Sequence, residues 1–590
     1  MCGIIAYQGV HNADQRIVEG LKHLEYRGYD SWGIAVATAT GKMHRKRQVG
    51  EIGKVSLKSL NLPEAHIGIG HTRWATHGGV TQKNAHPHFS MNKKIVLVHN
   101  GIVENDEVLR KELRKKGYVF QSETDSEVVV NLIENYRKKV SLKEAVRKTM
   151  KDIAGRNAIV VLEQDGKELI ATRNGSPLIV GVGEKEVYIA SDIPAFLEHT
   201  QTVYYLDDGQ MVVVQEGKPQ FFDLTNGKKI SRRKITVDIE PEQAEKGSYD
   251  HFMIKEIMDQ KETTRKAVDQ NERQLMEVAK MIKKAYGSFL VGCGSAAAVC
   301  KLGEYIFSTV ANKHINAVEA SEFRHFFGFL TSKSLMIVVS QSGETADVIE
   351  AIEVAKKKNV KIIGILNNTN STIGRLADYV FPIHAGQERA VASTKAITAQ
   401  FVVMTLLAYA AKGNVLEGKR KLVDVASQMN ELLNPRYEKH IQRIARVLKN
   451  KEHVYILGRG LNVPVAKESS IKIQEISYIH AESFAAGELK HGPLALVTKG
   501  TPVIVLVGKD DTEDEMLSNA KEVKARGGMI IGISPENHSV FDHWLHVPNV
   551  GDMSYMVNIL PVQLLSYYLG IMKGHNPDKP RNLAKSVTVK

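Results

Sequence analysis

The stretch SFLVGCGSAAAVCKLGEYIF, residues 288–307, decides the fold class of most of this chain. It begins with an apolar run typical of a buried strand, passes through a Gly-x-Gly turn, and continues as a helix of small and apolar residues. The same order returns in HVYILGRGLNVPVAKESSIKI, residues 453–473. This repeated strand–turn–helix unit predicts two α/β domains with parallel sheets. Residue identity between the two stretches is weak, so the duplication is one of fold.

Further apolar runs extend each half into alternating strands and helices. The first half continues with SLMIVVSQSGETADVIEAIEVAKKK and KIIGILNN, and the second with TPVIVLVGKD and GGMIIGIS. The segment AITAQFVVMTLLAYAA, residues 396–411, is shorter than a membrane span and contains Thr398, Gln400 and Thr405. We interpret it as a buried helix.

The N-terminal part has a different pattern. Short strand-like runs such as GIAVATA, HIGIGHTRWATH, KIVLVHNG and AIVVLEQ are separated by Gly, Asn and charged turns. This predicts a β-rich domain over residues 2–218. A charge-dense stretch that turns helical, residues 219–275, is interpreted as a linker. The α/β domains are then expected at 276–417 and 446–580, followed by a tail at 581–590.

Composition limits the class of protein. Hydrophobic residues make up 43% and charged residues 25% of the 590, as in soluble globular proteins. The cysteines Cys2, Cys293 and Cys300 are too few for a disulfide framework, so we expect a reducing, cytoplasmic setting. The N-terminus has no basic segment or cleavage site, and no secretory signal is expected.

The net charge of +13 favours negatively charged partners. Basic residues alternate with acidic ones in helical patterns, as in RKELRKKG, and no aromatic residues are interleaved to stack on bases. Nucleic acid is therefore not expected, and neither is a membrane. Phosphorylated metabolites remain the candidate partners.

The Gly-x-Gly turns do not predict a dinucleotide site. GCGSAA has alanine where the third glycine of the fingerprint belongs, and GRGLNV fails in the same way. No acidic residue is obvious at the usual distance. We expect no nicotinamide, no other cofactor and no metal.

A better anion site is SQSGETAD, residues 340–347, between an apolar strand and a helix. The hydroxyls of Ser340, Ser342 and Thr345, with the amides at the helix start, can surround a phosphate. The alternative is that these residues only cap the helix. Four side-chain donors in six positions exceed what a single cap needs, which favours the phosphate site.

Taken in order, these motifs resemble those of the glutamine:fructose-6-phosphate aminotransferase (isomerising) family, also called glucosamine-6-phosphate synthases. The motifs are MCGI, LEYRGYDSWGIA, HTRWATHG, NAHPH, HNGIVEN, ETDSEV, SQSGETAD, VASTKAIT, QEISYIHAESF, GELKHGPLAL and the terminal NPDKPRNLAKSVTVK. Their order along the whole chain is what makes the resemblance specific.

The resemblance implies an α/β and α+β multidomain protein. Its parts are an N-terminal-nucleophile (αββα) glutaminase and two doubly wound parallel-sheet sugar-isomerase (SIS) domains. The implied reaction converts D-fructose 6-phosphate and L-glutamine into D-glucosamine 6-phosphate and L-glutamate, the first step of amino-sugar biosynthesis. The implied assembly is a homodimer.

The resemblance assigns the nucleophile to Cys2. A lone cysteine in a strand is usually inert packing. Removal of Met1 leaves Cys2 with a thiol and a free α-amine, so that it can supply its own general base. The implied partners are Asn100 and the N–H of Gly101 for the oxyanion, Arg73 for the glutamine carboxylate, Asp125 for its α-amine, and Thr76 and His77 in the same pocket. Without the resemblance, Arg73 and Asp125 rank only as possible ion-pair partners.

A second site is implied in AKESSIKIQEISYIH, residues 466–480. Glu468, Lys472 and Glu475 lie at i, i+4 and i+7, on one face of a helix. Such spacing most often marks a solvated stripe of ion pairs. By resemblance, Glu475 moves the proton between C1 and C2 of the sugar, and Lys472 and Glu468 support it.

Four further roles follow from the resemblance. His491 helps to open the sugar ring, Lys585 in the C-terminal tail forms a Schiff base with the ketose, and Trp74 gates the passage of ammonia between the sites. The phosphate ligands are Ser340, Gln341, Ser342 and Thr345, with Ser295 and the backbone of Val391 and Ser393 nearby. The family commonly has Gly-Thr-Ser where this chain has Gly294, Ser295 and Ala296, so one expected hydroxyl is missing.

Three other functions share parts of this pattern. A phosphoribosyl-pyrophosphate amidotransferase shares the N-terminal half but needs a phosphoribosyltransferase domain. A sugar-phosphate-responsive regulator has no use for Cys2. A sugar-phosphate isomerase or deaminase without glutamine chemistry lacks the first 220 or so residues.

Overall fold

The computed structural model describes residues 2–237 and 246–588, and contacts divide them into two units. The first unit holds the described residues up to 237 together with 584–588 of the C-terminal tail. The second unit holds residues 246–583.

The first unit consists mainly of antiparallel strands. The strands are β1 Gly3–Gln8, β2 Ser31–Ala37, β3 Met43–Val49, β4 Ile67–Arg73, β5 His88–Phe89, β6 Ile95–Gly101, β7 Asn157–Glu163, β8 Glu168–Asn174, β9 Ile179–Val182, β10 Val187–Ala190, β11 Thr202–Tyr205, β12 Gln210–Gln215, β13 Lys218–Asp223, β14 Lys229–Ile230 and β15 Ile235–Thr236. The helices are α1 Ala13–His23, α2 Leu57–Leu60, α3 Asp106–Lys115, α4 Asp125–Arg137 and α5 Leu142–Asp152.

These elements form four layers. One sheet has the order β15-β11-β9-β10-β1-β4-β2-β3 and the other the order β14-β13-β12-β8-β7-β6-β5. Strand alternation assigns the two faces of β1, because Ile4 and Ala6 enter the core between the sheets while Ile5 and Tyr7 enter the core that includes α1. The outer face of the second sheet packs with α3, α4 and α5. This is the αββα arrangement expected from the sequence.

The first unit extends beyond the predicted boundary at residue 218. Strand β13 pairs antiparallel with β12, β14 pairs with β13, and β15 pairs with β11. Part of the predicted linker 219–275 therefore consists of edge strands of this unit. The charge density that suggested a linker is what edge strands commonly carry.

The second unit alternates strands with helices. The strands are β16 Ser288–Gly292, β17 Asn316–Glu319, β18 Leu335–Ser340, β19 Lys361–Leu366, β20 Tyr379–Pro382, β21 His453–Gly458, β22 His480–Ala485, β23 Pro502–Leu506, β24 Met529–Ser534 and β25 His543–His546. The helices are α6 Phe252–Met258, α7 Gln260–Ala267, α8 Glu272–Lys284, α9 Ser295–Ala311, α10 Ala346–Lys356, α11 Thr372–Leu376, α12 Lys395–Lys412, α13 Val415–Gln428, α14 Pro435–Leu448, α15 Asn462–Ser477, α16 Glu513–Lys524 and α17 Ser554–Met572.

The two sheets of this unit have the same topology. Their orders are β17-β16-β18-β19-β20 and β22-β21-β23-β24-β25, and every pairing is parallel. The duplicated parallel α/β fold predicted from the sequence is confirmed. Helices α6, α7 and α8, which fall in the predicted linker or just after it, contribute to the same core as α12.

Two long apolar helices run through this core. Helix α12 includes the segment 396–411 and is buried along nearly its whole length, as predicted. Among the described residues, one stretch, Gly551–Met572, is long and apolar enough to cross a membrane. Its most apolar 18 residues are 83% buried inside the protein. It contains α17, which packs against α15. A helix enclosed by protein on all sides needs no polar face, which accounts for its composition.

Candidate active sites

Cys2 immediately precedes β1 and lies beside the end of β4. The antiparallel register pairs Gly3 with Thr72, which brings Cys2 alongside the residues that follow β4. The N–H of Trp74 donates to the Cys2 Sγ at 3.3 Å, and the thiol lies 3.5 Å from the carbonyl oxygen of the same residue. The sulfur is thus held by main-chain groups, whose positions the sheet determines.

The environment of the thiol keeps it protonated. Burial raises the pKa of the Cys2 thiol, although the hydrogen bond from Trp74 and the nearby Arg73 guanidinium act in the opposite direction. A base must therefore remove the proton before the sulfur can attack. While Met1 is attached, the Cys2 nitrogen is an amide and cannot act as that base.

Asn100 and Gly101 end β6 next to Cys2. The Asn100 Nδ2 donates to the Cys2 carbonyl oxygen at 3.0 Å and to the Ser191 Oγ at 2.9 Å. Gly101 has a φ of 133°, and a Cβ there would lie 2.2 Å from the Arg156 carbonyl oxygen. Only glycine fits this position. The structure therefore places both residues of the predicted oxyanion site beside Cys2.

Arg73 organises the loop that follows β4. Its buried guanidinium donates to the carbonyl oxygens of His77 at 2.5 Å, Gly78 at 3.1 Å and Gly79 at 3.2 Å. Burial lowers the Arg73 pKa, and Cys2, Asp30 and Asp125 are among the groups that oppose this effect. These groups therefore surround the guanidinium.

The remaining residues predicted to bind glutamine lie near Arg73. Asp125 begins α4, is buried, and accepts hydrogen bonds from the N–H groups of Val103 and Ser126, both at 2.9 Å. Thr76 is exposed and His77 is half-buried on the same loop. Positive Arg73 and negative Asp125, which act on each other electrostatically, suit a zwitterionic amino acid.

The sequence analysis assigned no role to several residues of this site. The Arg27 Nε donates to the Cys2 carbonyl oxygen at 3.3 Å, and Arg27 pairs with Asp192 at 3.3 Å. The Asp30 carboxylate accepts the Ala75 N–H at 2.8 Å. Arg27 and Asp30 lie within LEYRGYDSWGIA, so that motif contained the signal for them. Asp192 lies outside every quoted motif.

Three charged residues meet on α15 in the second unit. Lys472 and Glu468 are both 0% exposed, and the Lys472 Nζ lies 3.5 Å from Glu468 and 2.5 Å from the Oε2 of Glu475. The predicted single helical face is present, but Glu468 and Lys472 on it are buried and Glu475 is 23% exposed, so it is not a solvated stripe. Burying such charges is costly unless they are paired, so the cluster is a candidate for function.

Glu468 is the most perturbed acid of this cluster. Burial raises its pKa to about 7, although Lys472 acts to lower it. The pKa of Lys472 is raised, because Glu468 and Glu475 outweigh the effect of burial, which alone would lower it. A carboxyl group that titrates near neutral pH can give or take a proton during a reaction.

The loop 340–345 carries the main residues predicted to bind phosphate. The Gly343 N–H donates to the Ser340 Oγ at 3.0 Å, and the Ser340 and Thr345 hydroxyls lie 3.2 Å apart. Thr345 is the N-cap residue of α10, yet its side chain makes no capping hydrogen bond. Simple capping therefore does not explain Thr345. Gln341 and Ser342 lie half-buried on the same loop.

Three predicted phosphate-site residues have other partners in this structure. The Ser295 hydroxyl donates to Glu468 at 3.0 Å, which links α9 to the acidic cluster on α15. The Val391 N–H donates to the Asp578 carbonyl oxygen at 3.1 Å. The Ser393 hydroxyl donates to Glu388 at 3.2 Å. The structure therefore gives Ser295 and Ser393 contacts with acidic side chains.

His491 does not join the cluster on α15. His491 is exposed at the end of the 3-10 turn Ala486–His491. Within residues 246–588, no hydrogen bond or ion pair links it to Lys472 or Glu475. Lys585 is half-buried and belongs to the tail segment grouped with the first unit.

Comparison with known proteins gives the family. Residues 71–198 match the glutamine amidotransferase domain, and residues 281–410 and 447–572 match the SIS domain. Glutamine–fructose-6-phosphate aminotransferase (isomerizing) of Pyrococcus horikoshii is 43% identical over 599 residues, covering 100% of both chains. The chain belongs to this family.

Other members of the glutamine–fructose-6-phosphate aminotransferase family agree with this assignment. A protein of the same name from Thermus thermophilus is 40% identical over 607 residues, covering 100% of both chains. The solved C-terminal domain of glucosamine-fructose-6-phosphate aminotransferase from Francisella tularensis is 34% identical, with a TM-score of 0.53. It covers 57% of this chain and 100% of that chain. The resemblance drawn from the motifs is confirmed, as is the glutaminase-plus-two-SIS fold.

Proposed function

We propose that this chain converts D-fructose 6-phosphate and L-glutamine into D-glucosamine 6-phosphate and L-glutamate. The observation that carries the proposal is the Cys2 sulfur, held by the main chain of Trp74 next to the Asn100 carboxamide. A thiol at this position of a glutamine amidotransferase fold is suited to attack a side-chain amide. The buried Glu–Lys–Glu cluster of the second unit supplies the chemistry that a sugar isomerisation needs.

The first half-reaction releases ammonia. The Cys2 thiol gives its proton to the α-amine exposed by loss of Met1, and the sulfur attacks the amide carbon of glutamine. The carbonyl oxygen becomes an oxyanion stabilised by the Asn100 Nδ2 and the Gly101 N–H. The C–N bond then breaks, the proton leaves with ammonia, and water hydrolyses the γ-glutamyl thioester. Arg73 and Asp125 bind the two charged ends of the amino acid.

The second half-reaction moves a proton between neighbouring carbons. Ser340, Ser342 and Thr345 bind the phosphate at the N-terminus of α10. Lys585 forms an imine with the ketose, and ammonia replaces it at C2. Glu475 then takes the C1 proton and returns it to C2, while the Lys472 Nζ, 2.5 Å away, orients the carboxylate. His491 assists opening of the sugar ring.

Ammonia passes from the first half-reaction to the second without release to water. Trp74 is the proposed gate, because its main chain contacts the Cys2 sulfur directly. A change at Cys2 during the reaction can therefore move Trp74. The ratio of glucosamine 6-phosphate to glutamate measures how much ammonia is lost.

We further propose a homodimer in the reducing cytoplasm. The 3-10 segment Ala320–Phe329 exposes Phe327 and Phe329, and the latter is 69% exposed. Exposed aromatic side chains grouped in this way suit a protein–protein contact. All three cysteines are free, which fits a reducing compartment. Sedimentation equilibrium tests the dimer, for which we expect twice the chain mass of 65.5 kDa.

One coupled assay tests the function. Glutamine and fructose 6-phosphate are supplied together, and glutamate and glucosamine 6-phosphate are measured in the same samples. Equal formation of both products supports the proposal. Glutamate formed without amino sugar would indicate an amidotransferase with another acceptor. Sugar isomerisation at a rate independent of glutamine would indicate an isomerase without glutamine chemistry.

A further inference from the structure

A buried histidine holds the side chain of Asn100. His71 lies on β4 and is 0% exposed. Its Nε2 lies 3.1 Å from the Asn100 Oδ1 and 2.9 Å from the His99 carbonyl oxygen. Neither the sequence motifs nor the reaction described above assigns His71 a role.

The contacts determine where the hydrogens are. The Asn100 amide must direct its nitrogen toward the Cys2 carbonyl oxygen, because two carbonyl oxygens facing each other at 3.0 Å would repel. Its Oδ1 therefore faces His71, and the Nε2 of His71 has two oxygen acceptors. The Nε2 must carry a hydrogen to satisfy either of them. Burial lowers the His71 pKa to about 3, so the ring is neutral and this is its single N–H.

The two ends of the Asn100 carboxamide are fixed by different groups. His71 holds the Oδ1, while Cys2 and Ser191 accept from the Nδ2. The Ser191 Oγ also accepts the Ile4 N–H at 2.9 Å, which ties it to β1. When an oxyanion forms, an N–H of the Asn100 Nδ2 must donate to it in place of the Cys2 carbonyl oxygen. The contact from His71 is then what keeps the amide from turning over.

A reversed amide would be harmful to catalysis. It would direct the Oδ1 lone pairs toward the developing negative charge in place of an N–H donor. Loss of a single oxyanion donor typically lowers kcat roughly 10²–10³-fold.

We propose that His71 is a positioning residue for glutamine hydrolysis, whose Nε2–H fixes the Asn100 carboxamide with its nitrogen toward the developing oxyanion. This inference rests on the proposed glutaminase function. It predicts that the hydrogen at Nε2, more than the shape of the ring, is what the site requires.

Two substitutions separate the donor from the ring. His71→Gln keeps an N–H donor near the position of Nε2, and His71→Leu has similar bulk without a donor. We expect His71→Leu to lower kcat for glutamine hydrolysis about 100-fold with the glutamine KM within about 3-fold. His71→Gln should recover kcat to within about 10-fold of the wild type. His88→Leu is the matched control, because His88 is also buried and does not contact Asn100.

Two further measurements exclude a merely structural effect. Alkylation of Cys2 by iodoacetamide needs the thiolate but no oxyanion, so its rate should be the same in His71→Leu and the wild type. The affinity for glutamate γ-semialdehyde should fall with kcat, because the thiol adds to its carbonyl and generates an oxyanion at the same place. Product glutamate affinity should not change.

The outcomes are distinguishable. A wild-type kcat in His71→Leu would overturn the inference. A lowered kcat that His71→Gln does not rescue would also overturn it, as would a matching fall in the rate of Cys2 alkylation. A wild-type protein, with Met1 removed, that releases no ammonia from glutamine would instead refute the proposed function. Ser191→Ala gives an independent arm, with a smaller expected fall in kcat because only one contact of the Nδ2 is lost.

Discussion

Lys472 and Glu475 form an ion pair on α15, with 2.5 Å between Nζ and Oε2, although the Lys472 side chain is entirely buried. Glu468, one turn before Lys472, is equally buried and lies 3.5 Å from the same ammonium. One buried cation therefore serves two carboxylates, of which Glu468 is fully buried and Glu475 is 23% exposed. Such a cluster is stable only while all its members are present.

Removal of Lys472 should be strongly destabilising. Lys472→Met leaves Glu468 and Glu475 without their cation, and breaking a buried pair in this way costs about 3–5 kcal/mol. The free energy of unfolding of the second unit, measured with urea, should fall by that order. The double variant Lys472→Met/Glu468→Gln should recover part of the loss. Equal stability of the wild type and Lys472→Met would contradict a buried ion pair.

Glu468 should give the protein a specific pH dependence. Because burial raises its pKa to about 7, the folded state binds a proton that the unfolded state has released above about pH 5. The contribution of Glu468 to the free energy of unfolding should therefore decrease as the pH rises from about 5 to about 8, by up to about 3 kcal/mol. Glu468→Gln should lack this slope. Parallel curves for the two proteins would rule the assignment out.

Cys2→Ala should abolish glutamine hydrolysis. Glu475, proposed for the proton transfer, and the proposed phosphate loop 340–345 lie in the other unit, so slow isomerisation of fructose 6-phosphate should persist. Chains whose mass shows retained Met1 should also be inactive with glutamine, because their Cys2 nitrogen cannot act as a base. Ammonia release and intact mass measure the two effects. Glutaminase activity surviving in Cys2→Ala would mean that another residue is the nucleophile.

The hydroxyls of the loop 340–345 should contribute to sugar-phosphate binding. Ser340→Ala with Thr345→Ala should raise the KM for fructose 6-phosphate by at least about 100-fold, since hydrogen bonds to charged groups are worth about 1.5–3 kcal/mol each and two are lost. Glutamine hydrolysis measured alone should change little.

Ser141→Ala is the control for this prediction. Ser141 caps α5 in the first unit through the Glu144 N–H, so its loss should cost about 1 kcal/mol of stability without affecting the sugar KM. An unchanged KM in the double variant would mean that the two hydroxyls do not contact phosphate.

Lys585 should be trapped by reduction. Borohydride added with fructose 6-phosphate should attach the sugar to the C-terminal peptide of the wild type. Lys585→Arg should not be labelled, because a guanidinium stays protonated and cannot attack a carbonyl at neutral pH. Lys579→Arg, in the same part of the chain, should be labelled normally. Peptide mass mapping would show an incorrect assignment if the label lay on Lys472.

Much of the fold follows from local patterns. The apolar runs 334–340 and 453–458 have the length and composition of buried parallel strands, and the helices after them begin at Gly-rich or polar turns. These signals depend on neighbours in sequence and are therefore readable without the structure. The helical spacing of Glu468, Lys472 and Glu475 is of the same kind.

Pairing between distant segments decided the rest. The sequence alone did not show that residues 229–236 contribute edge strands to two sheets, because short charged strands have no distinctive local sequence pattern. The spacing on α15 predicted a shared face, but only the packing of the second unit decided that this face is buried. That packing determines the pKa of Glu468.

The glutaminase site shows the same division. The motif MCGI predicts Cys2 as the nucleophile by resemblance. The orientation of Asn100 instead depends on contacts from Cys2, His71 and Ser191, which are far apart in sequence. Residue types and spacing determined which groups are available, whereas only the tertiary structure decided which of them meet and which lose contact with water, because both depend on long-range packing.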